Sequence, residues 1–228
     1  MLALGMASAK NQGLVGLITD AGIPISRTPR RLREYSPVLS KERRVELEAL
    51  LHLRDGFRAL GGALIVRPST TVAAMRGIED WNQLSLWRTP YKHASEILFF
   101  AEDITGRQFG LHKDMVVSFD PEDGTIDRLC FSLDAWASWV LERRTELGEA
   151  LVTQWNEAHG VVLGVHERLQ PRYPVRSVDG DVDGTAEGDE YRVRPDLDLM
   201  ARWARLYAER QAAEEPDPAP DWWWDEDQ

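Results

Sequence analysis

The sequence predicts an α+β domain: a central, mainly antiparallel sheet of about five to six strands, with helices packed around it. Three observations carry that expectation. Residues 97–131 hold four short runs of strand type, separated by tight turn signals. Strands so closely spaced pair antiparallel as a meander. Segments with helical repeats flank that stretch on both sides. The chain has 228 residues, 43% of them hydrophobic, which is enough to bury a core.

In chain order, residues 1–39 read as an N-terminal extension, with a short helix through 14–18. Residues 27–33 (RTPRRLR) form a small basic cluster broken by Pro29. Ser40 is placed to cap a helix from Lys41 to about Leu60, with Gly61-Gly62 as its stop. Residues 63–67 (ALIVR) predict a buried strand ended by Pro68. Residues 70–81 read as loop with a helical turn. Trp81 and Trp87 then flank an irregular segment containing Asn82-Gln83, and Tyr91 follows. Such aromatics anchor a long connection on the core, or line a groove or partner surface.

The meander comes next. Residues 97–101 are a short apolar run, broken by Glu102-Asp103 and Thr105-Gly106. Residues 108–112 alternate, with Phe109 and Leu111 on one face. Residues 115–119 and 125–131 are the remaining strands. Between them, DPEDG at 120–124 is a turn in which Pro presets φ and Gly supplies positive φ. Ser132 is the N-cap of a helix over 133–144. Residues 146–159 predict a second helix, in which Leu147, Leu151 and Trp155 recur every four residues before Gly160. Residues 161–165 predict a strand, and 168–174 an extended, Pro-punctuated run. Residues 40–175 thus form the main domain. Residues 176–194 are an acidic Gly/Asp-rich insertion. Pro195 opens a last helix over 196–210, within a C-terminal unit of residues 195–211. Residues 212–228 are an acidic, Trp-rich tail that reads as disordered.

Charge is unevenly placed. The net charge is −11. Residues 1–175 hold 21 basic and 22 acidic side chains; residues 176–228 hold 6 and 16. The main domain is close to neutral, which argues against nucleic-acid binding. The acidic quarter suits a basic protein partner. No run approaches the roughly 18 apolar residues of a membrane span. The first residues lack a signal-peptide pattern, so a cytoplasmic protein is expected. Cys130 is the single cysteine, which excludes an intrachain disulfide, and its strand position predicts a small buried hydrophobe.

No catalytic motif is present. The five histidines form no metal-binding pair, and there is no nucleophile elbow, phosphate loop or dinucleotide fingerprint. Glu102-Asp103 is a carboxylate pair, but neighbours in a strand point to opposite faces. Turn carboxylates also commonly accept from backbone N–H groups. One formal pattern does match. Asp179, Asp181, Asp183 and Glu190, around Gly184, have calcium-loop spacing. The flanking helices of such a loop are missing, and Ala186 stands where a β-branched residue is usual. Calcium is therefore the one cofactor considered, beside the plainer reading of a solvated loop. Trp222, Trp223 and Trp224, set among acids, read as a docking peptide for a partner or for a groove on their own domain. The plainer reading is a drifting terminus.

The central stretch also carries a family resemblance. LFFAEDITGRQFGL, then VVSFDPEDGTI, then SLDAWASWVLE, resembles the SUKH superfamily, and in particular a bacterial branch of it. LEALLHLRDGF, ALIVRPS, IEDWNQLSLWR, TQWNEAHG and HERLQPRYPV fit the same branch. The likeness spans roughly residues 47–175. The helix end at Arg58-Ala59-Leu60-Gly61-Gly62 departs from it, and the acidic insertion and last helix match no pattern of the family. The resemblance implies an α+β domain without enzymatic activity. Many bacterial members are immunity proteins that bind and neutralise toxins, often nucleases; fungal relatives are scaffolds in cell-wall regulation. The expectation is thus an immunity protein that occludes a basic toxin. The alternatives are a regulatory or scaffolding module, or a small-molecule-binding or enzymatic member of the fold. The resemblance carries over no site residue; exposure and chemistry give Trp81, Trp87, Glu102, Asp103, Asp120, Glu122 and Asp123, with the acidic insertion and the three tail tryptophans, as the expected partner contacts.

Overall fold

The computed structural model describes residues 12–33, 39–174, 190–213 and 223. Its centre is a six-stranded antiparallel sheet: β1 (Phe57–Ala59), β2 (Leu64–Val66), β3 (Leu98–Asp103), β4 (Gln108–His112), β5 (Met115–Phe119) and β6 (Ile126–Cys130). The strand order follows the sequence order throughout, so the sheet is a meander. Two turns fix its register. At the β3–β4 turn, Asp103 accepts the N–H groups of Thr105 and Arg107, each at 3.0 Å. At the β5–β6 turn, Asp120 N–H donates to Thr125 O at 2.9 Å, and Gly124 takes φ 73°. Only glycine adopts that conformation without strain.

Both faces of the sheet are covered. On one side Phe100, Phe109, Leu111 and Val116 pack against α1 (Gln12–Asp20), α2 (Lys41–Leu53) and α4 (Leu133–Glu142), whose Leu17, Leu47, Trp136 and Val140 are buried. On the other side Phe99, Val117 and Phe119 meet Trp81, Trp87 and Tyr91, together with Leu199, Met200 and Trp203 of α6 (Asp196–Ala212). The alternation of β4 and β5 feeds the two cores from successive residues. The predicted caps are in place: the Ser40 side chain accepts from Arg43 N–H at 3.3 Å, and Ser132 from Ala135 N–H at 3.1 Å. Each serves an N–H that the helix leaves without a partner.

A second, two-stranded sheet pairs β7 (Glu167–Pro171) with β8 (Tyr191–Pro195), antiparallel. It is stitched to the meander by Leu169 N–H donating to Ile104 O at 2.8 Å.

The remaining elements are α3 (Ile78–Trp81), a π-helical turn at Leu84–Arg88, α5 (Glu149–His159) and short 3-10 turns at Leu60–Gly62 and Ala94–Glu96. Three expectations are corrected. The helix expected to reach residue 60 ends at Leu53, because Asp55-Gly56 turns the chain into β1; Gly56 has φ 67°, and a Cβ there would lie 2.6 Å from Pro68 N. Residues 161–165 form no strand, and Val161 and Val162 are exposed. Tyr191–Pro195, expected as part of the insertion, is a strand because β7 supplies its partner.

Candidate functional site

Six of the expected contact residues are interior. Trp81, Trp87, Glu102, Asp103, Glu122 and Trp223 are between 0 and 3% exposed. The expectation that they lie at the surface is corrected: a side chain with no accessible area has none to offer a partner. Trp81 and Trp87 anchor the 77–97 connection on the second core. Their rings lie 5.6 Å apart, and Trp87 packs 5.3 Å from Phe99. Two buried polar residues hold that connection. Asn82 donates to Phe99 O at 2.7 Å and accepts from Phe99 N–H at 2.9 Å, and Arg88 donates to Asn82 O, Ala94 O and Ile97 O. Asp120 and Asp123 are half-buried, each accepting a backbone N–H of its own turn at 2.9 Å. Glu122 pairs with Arg210 of α6 at 3.2 Å.

Glu102 and Asp103 face opposite ways, as adjacent strand residues must. Asp103 organises its turn. Glu102 enters a buried ionic cluster on the α6 side. Its Oε1 accepts from Arg67 Nη2 and, at 2.6 Å, from Arg168 Nη2; its Oε2 accepts from Gln108 at 2.9 Å. Arg67 also donates to Asp196 Oδ2 at 2.9 Å, and its guanidinium lies 3.3 Å from the centre of the Trp81 ring. Trp81 Nε1–H in turn donates to Gln108 Oε1 at 2.9 Å. Two arginines thus face two carboxylates with no access to solvent. Burial pushes Asp196 up, but the Arg67 and Arg168 charges and the Arg67 and Leu197 hydrogen bonds hold it below its ordinary value. Burial lowers Arg67, with Glu102 and Asp196 opposing; an arginine stays charged regardless. The cluster binds β3, β4, β7 and the start of α6 together. Its two arginines and two carboxylates balance in charge.

The surface offers two clefts of interest. One, of about 760 Å³, lies beside the start of α6 and is lined by polar groups that include Arg76, Asp80, His166 and Asp198. The other, of about 820 Å³, is an apolar groove between α1 and α2. Val15, Val45 and Leu53 line it and are 64, 53 and 72% exposed. Its carboxylates are already engaged: Asp134 accepts Leu14 N–H at 2.9 Å, and Glu46 accepts Leu133 N–H at 3.0 Å.

Among the described residues, no group of three or more His, Cys, Asp or Glu side chains is arranged to hold a metal ion. Asp179, Asp181 and Asp183 of the calcium pattern lie outside the described residues; Glu190 is described and exposed. Trp222 and Trp224 also lie outside them, as does most of the tail expected to be disordered. Trp223 is described and is 1% exposed, seated against α6. Cys130 is half-buried, with burial pushing its thiol up and Sγ donating to Ser132 O at 3.4 Å. No helix among the described residues is long and apolar enough to cross a membrane.

Sequence reasoning missed the members of the ionic cluster other than Glu102, and missed the α1–α2 groove. One signal for the cluster was present: Arg67 closes an otherwise apolar strand, and a charge in such a place needs a buried partner. Compared with protein-family models, the chain matches none, and a search of curated proteins finds no match.

Proposed function

We propose that the chain is a non-enzymatic binding protein of SUKH type, an immunity protein that neutralises a basic toxin by occluding it. The observation that carries this reading is the α1–α2 groove. It keeps three large apolar side chains in contact with water, where a partner's apolar residues would cover them. Two further features support it. The interior carboxylates are consumed in structural pairs, so the recognisable acid–base candidates have structural work. The charge imbalance of the C-terminal quarter suits a basic partner such as a nuclease domain, by raising its association rate.

The test begins with the neighbouring genes: where one encodes a secreted protein with a C-terminal toxin domain, that domain is co-expressed with this chain. Wild type restores growth and binds the purified domain. Val45→Asp and Leu53→Asp weaken binding at least about tenfold, since each puts a charge into the interface core. Both positions are exposed, so the melting temperature stays within about 2 °C of wild type. Raising salt from about 50 to 500 mM weakens the complex. Unprotected cells, or a complex indifferent to both substitutions and to salt, would refute the reading.

A further inference from the structure

Trp223 is buried in a way that simple packing does not account for. Its ring lies 4.3 Å from that of Trp203 on α6. Its indole N–H donates to Pro171 O, at the end of β7, at 3.1 Å. Its own carbonyl accepts from Gln170 Nε2 and, at 3.3 Å, from Arg202 Nη1. Gln170 has no exposed area, and its other end is already taken: Oε1 accepts from Arg194 at 2.6 Å. The amide is therefore held with its N–H₂ aimed at the position of the Trp223 carbonyl. A buried donor so aimed is costly to leave unmet. The site thus reads both halves of a peptide-borne tryptophan, the indole through an aromatic wall and an acceptor, and the main chain through two donors.

The charge of the site agrees with the occupant. Arg194 and Arg202 stand beside it, each near Asp198, at 3.7 and 3.5 Å. The segment bringing Trp223 there, DWWWDED at 221–227, carries four acidic residues. We infer that the cleft between β7 and α6 is a recognition site for a tryptophan carried on an acidic segment, filled in cis by this chain's own Trp223. A tethered segment sees its site at an effective concentration near the millimolar range. A free peptide at micromolar concentration therefore enters only when the resident tryptophan is removed.

The experiment uses the full-length chain and a fluorescein-labelled peptide of residues 216–228, read by fluorescence polarisation. Full-length Trp223→Ala binds the peptide; wild type binds it at least about tenfold more weakly. A peptide that itself carries Trp223→Ala loses about 30-fold in affinity for the variant, the size of an interface hot spot. Peptides carrying Trp222→Ala or Trp224→Ala bind like the native one. Equal losses from all three substitutions overturn the inference, because they show mere adhesion of tryptophan. So does equal binding to wild type and variant, or binding to neither.

Should Trp223→Ala fail to fold, the wild-type chain decides by NMR. Slow hydrogen exchange at the Trp223 indole supports the site, and free exchange overturns it. Sedimentation separates the remaining occupant. A wild-type dimer that becomes monomeric in Trp223→Ala means that the tail fills a second copy's site, which overturns occupation in cis. None of these readouts involves a toxin, so they fail or succeed independently of the proposed function.

Discussion

Asp103 and Asp196 are both buried, yet they respond to acid in opposite senses. Burial pushes the Asp103 carboxyl above its ordinary value, and the opposing Arg107 charge and turn hydrogen bonds only partly offset this. Its folded state therefore binds a proton more tightly than the unfolded chain. The stability this contributes is complete below about pH 4, the unfolded value, and is lost as pH rises through the raised folded value. Asp196 is held below its ordinary value by Arg67 and Arg168 despite its burial. Its contribution is present above about pH 4 and is lost as pH falls through the depressed folded value. Urea unfolding between pH 2 and 7 separates the two. Asp103→Asn removes a decline in stability on the alkaline side of pH 4, and Asp196→Asn removes a loss on the acid side. Variants whose profiles run parallel to wild type would show that neither carboxyl has the assigned shift.

Between elements, α1 approaches the backbone of α4 closely. A Cβ at Gly13 would lie 2.2 Å from Asp134 O and 2.4 Å from Ser138 Oγ; one at Gly16 would meet only Leu141 Cδ1, at 2.8 Å. Alanine favours a helix over glycine by about 1 kcal/mol, and overpacking costs about 1–3 kcal/mol. Backbone cannot give way at Gly13, whereas the Leu141 tip can at Gly16. Gly13→Ala should therefore destabilise by roughly 1–2 kcal/mol, with Gly16→Ala close to neutral, in matched urea titrations. Equal effects would mean that α1 slides on α4.

Elements of this scale were the legible part of the sequence. The bounds of β4 and β5, and the starts of α2 and α4, follow from alternation, turn chemistry and capping serines, which are all local. Tyr191–Pro195 was not legible, because its charged residues become a strand only through β7, some twenty residues away. Phe57–Ala59 was not, because its apolar residues continue the helical pattern of α2.

At the scale of the whole molecule, Glu102 is the junction between the two sheets. Its partners lie far along the chain: Arg67 is 35 residues before it and Arg168 is 66 after it, and Arg67 reaches Asp196 across 129. No local pattern reports pairs at that distance, so the residue that looked like half of a surface pair proved to be the most enclosed acid in the fold. The consequence is mechanical. Arg67 belongs with the meander, Arg168 with β7, and Asp196 with α6. Removing Glu102 leaves Arg168 and Arg67 buried in a site with one carboxylate between them. Breaking a buried pair from one side costs about 3–5 kcal/mol, because the remaining charge is uncompensated. Glu102→Ala should therefore lose about that much stability. The loss should not be uniform. The β7–β8 sheet and α6 are held to the meander by this cluster and by the second core, so they detach first. Hydrogen exchange in Glu102→Ala should rise over residues 191–212 before it rises in β4 and β5. Pairing Glu102→Ala with Arg168→Met removes the excess charge and should recover part of the stability, since a charge-free site of similar volume is tolerated better than a half-broken pair. A uniform rise in exchange, or a double variant weaker than the sum of its parts, would mean that the cluster does not hold the two sheets together.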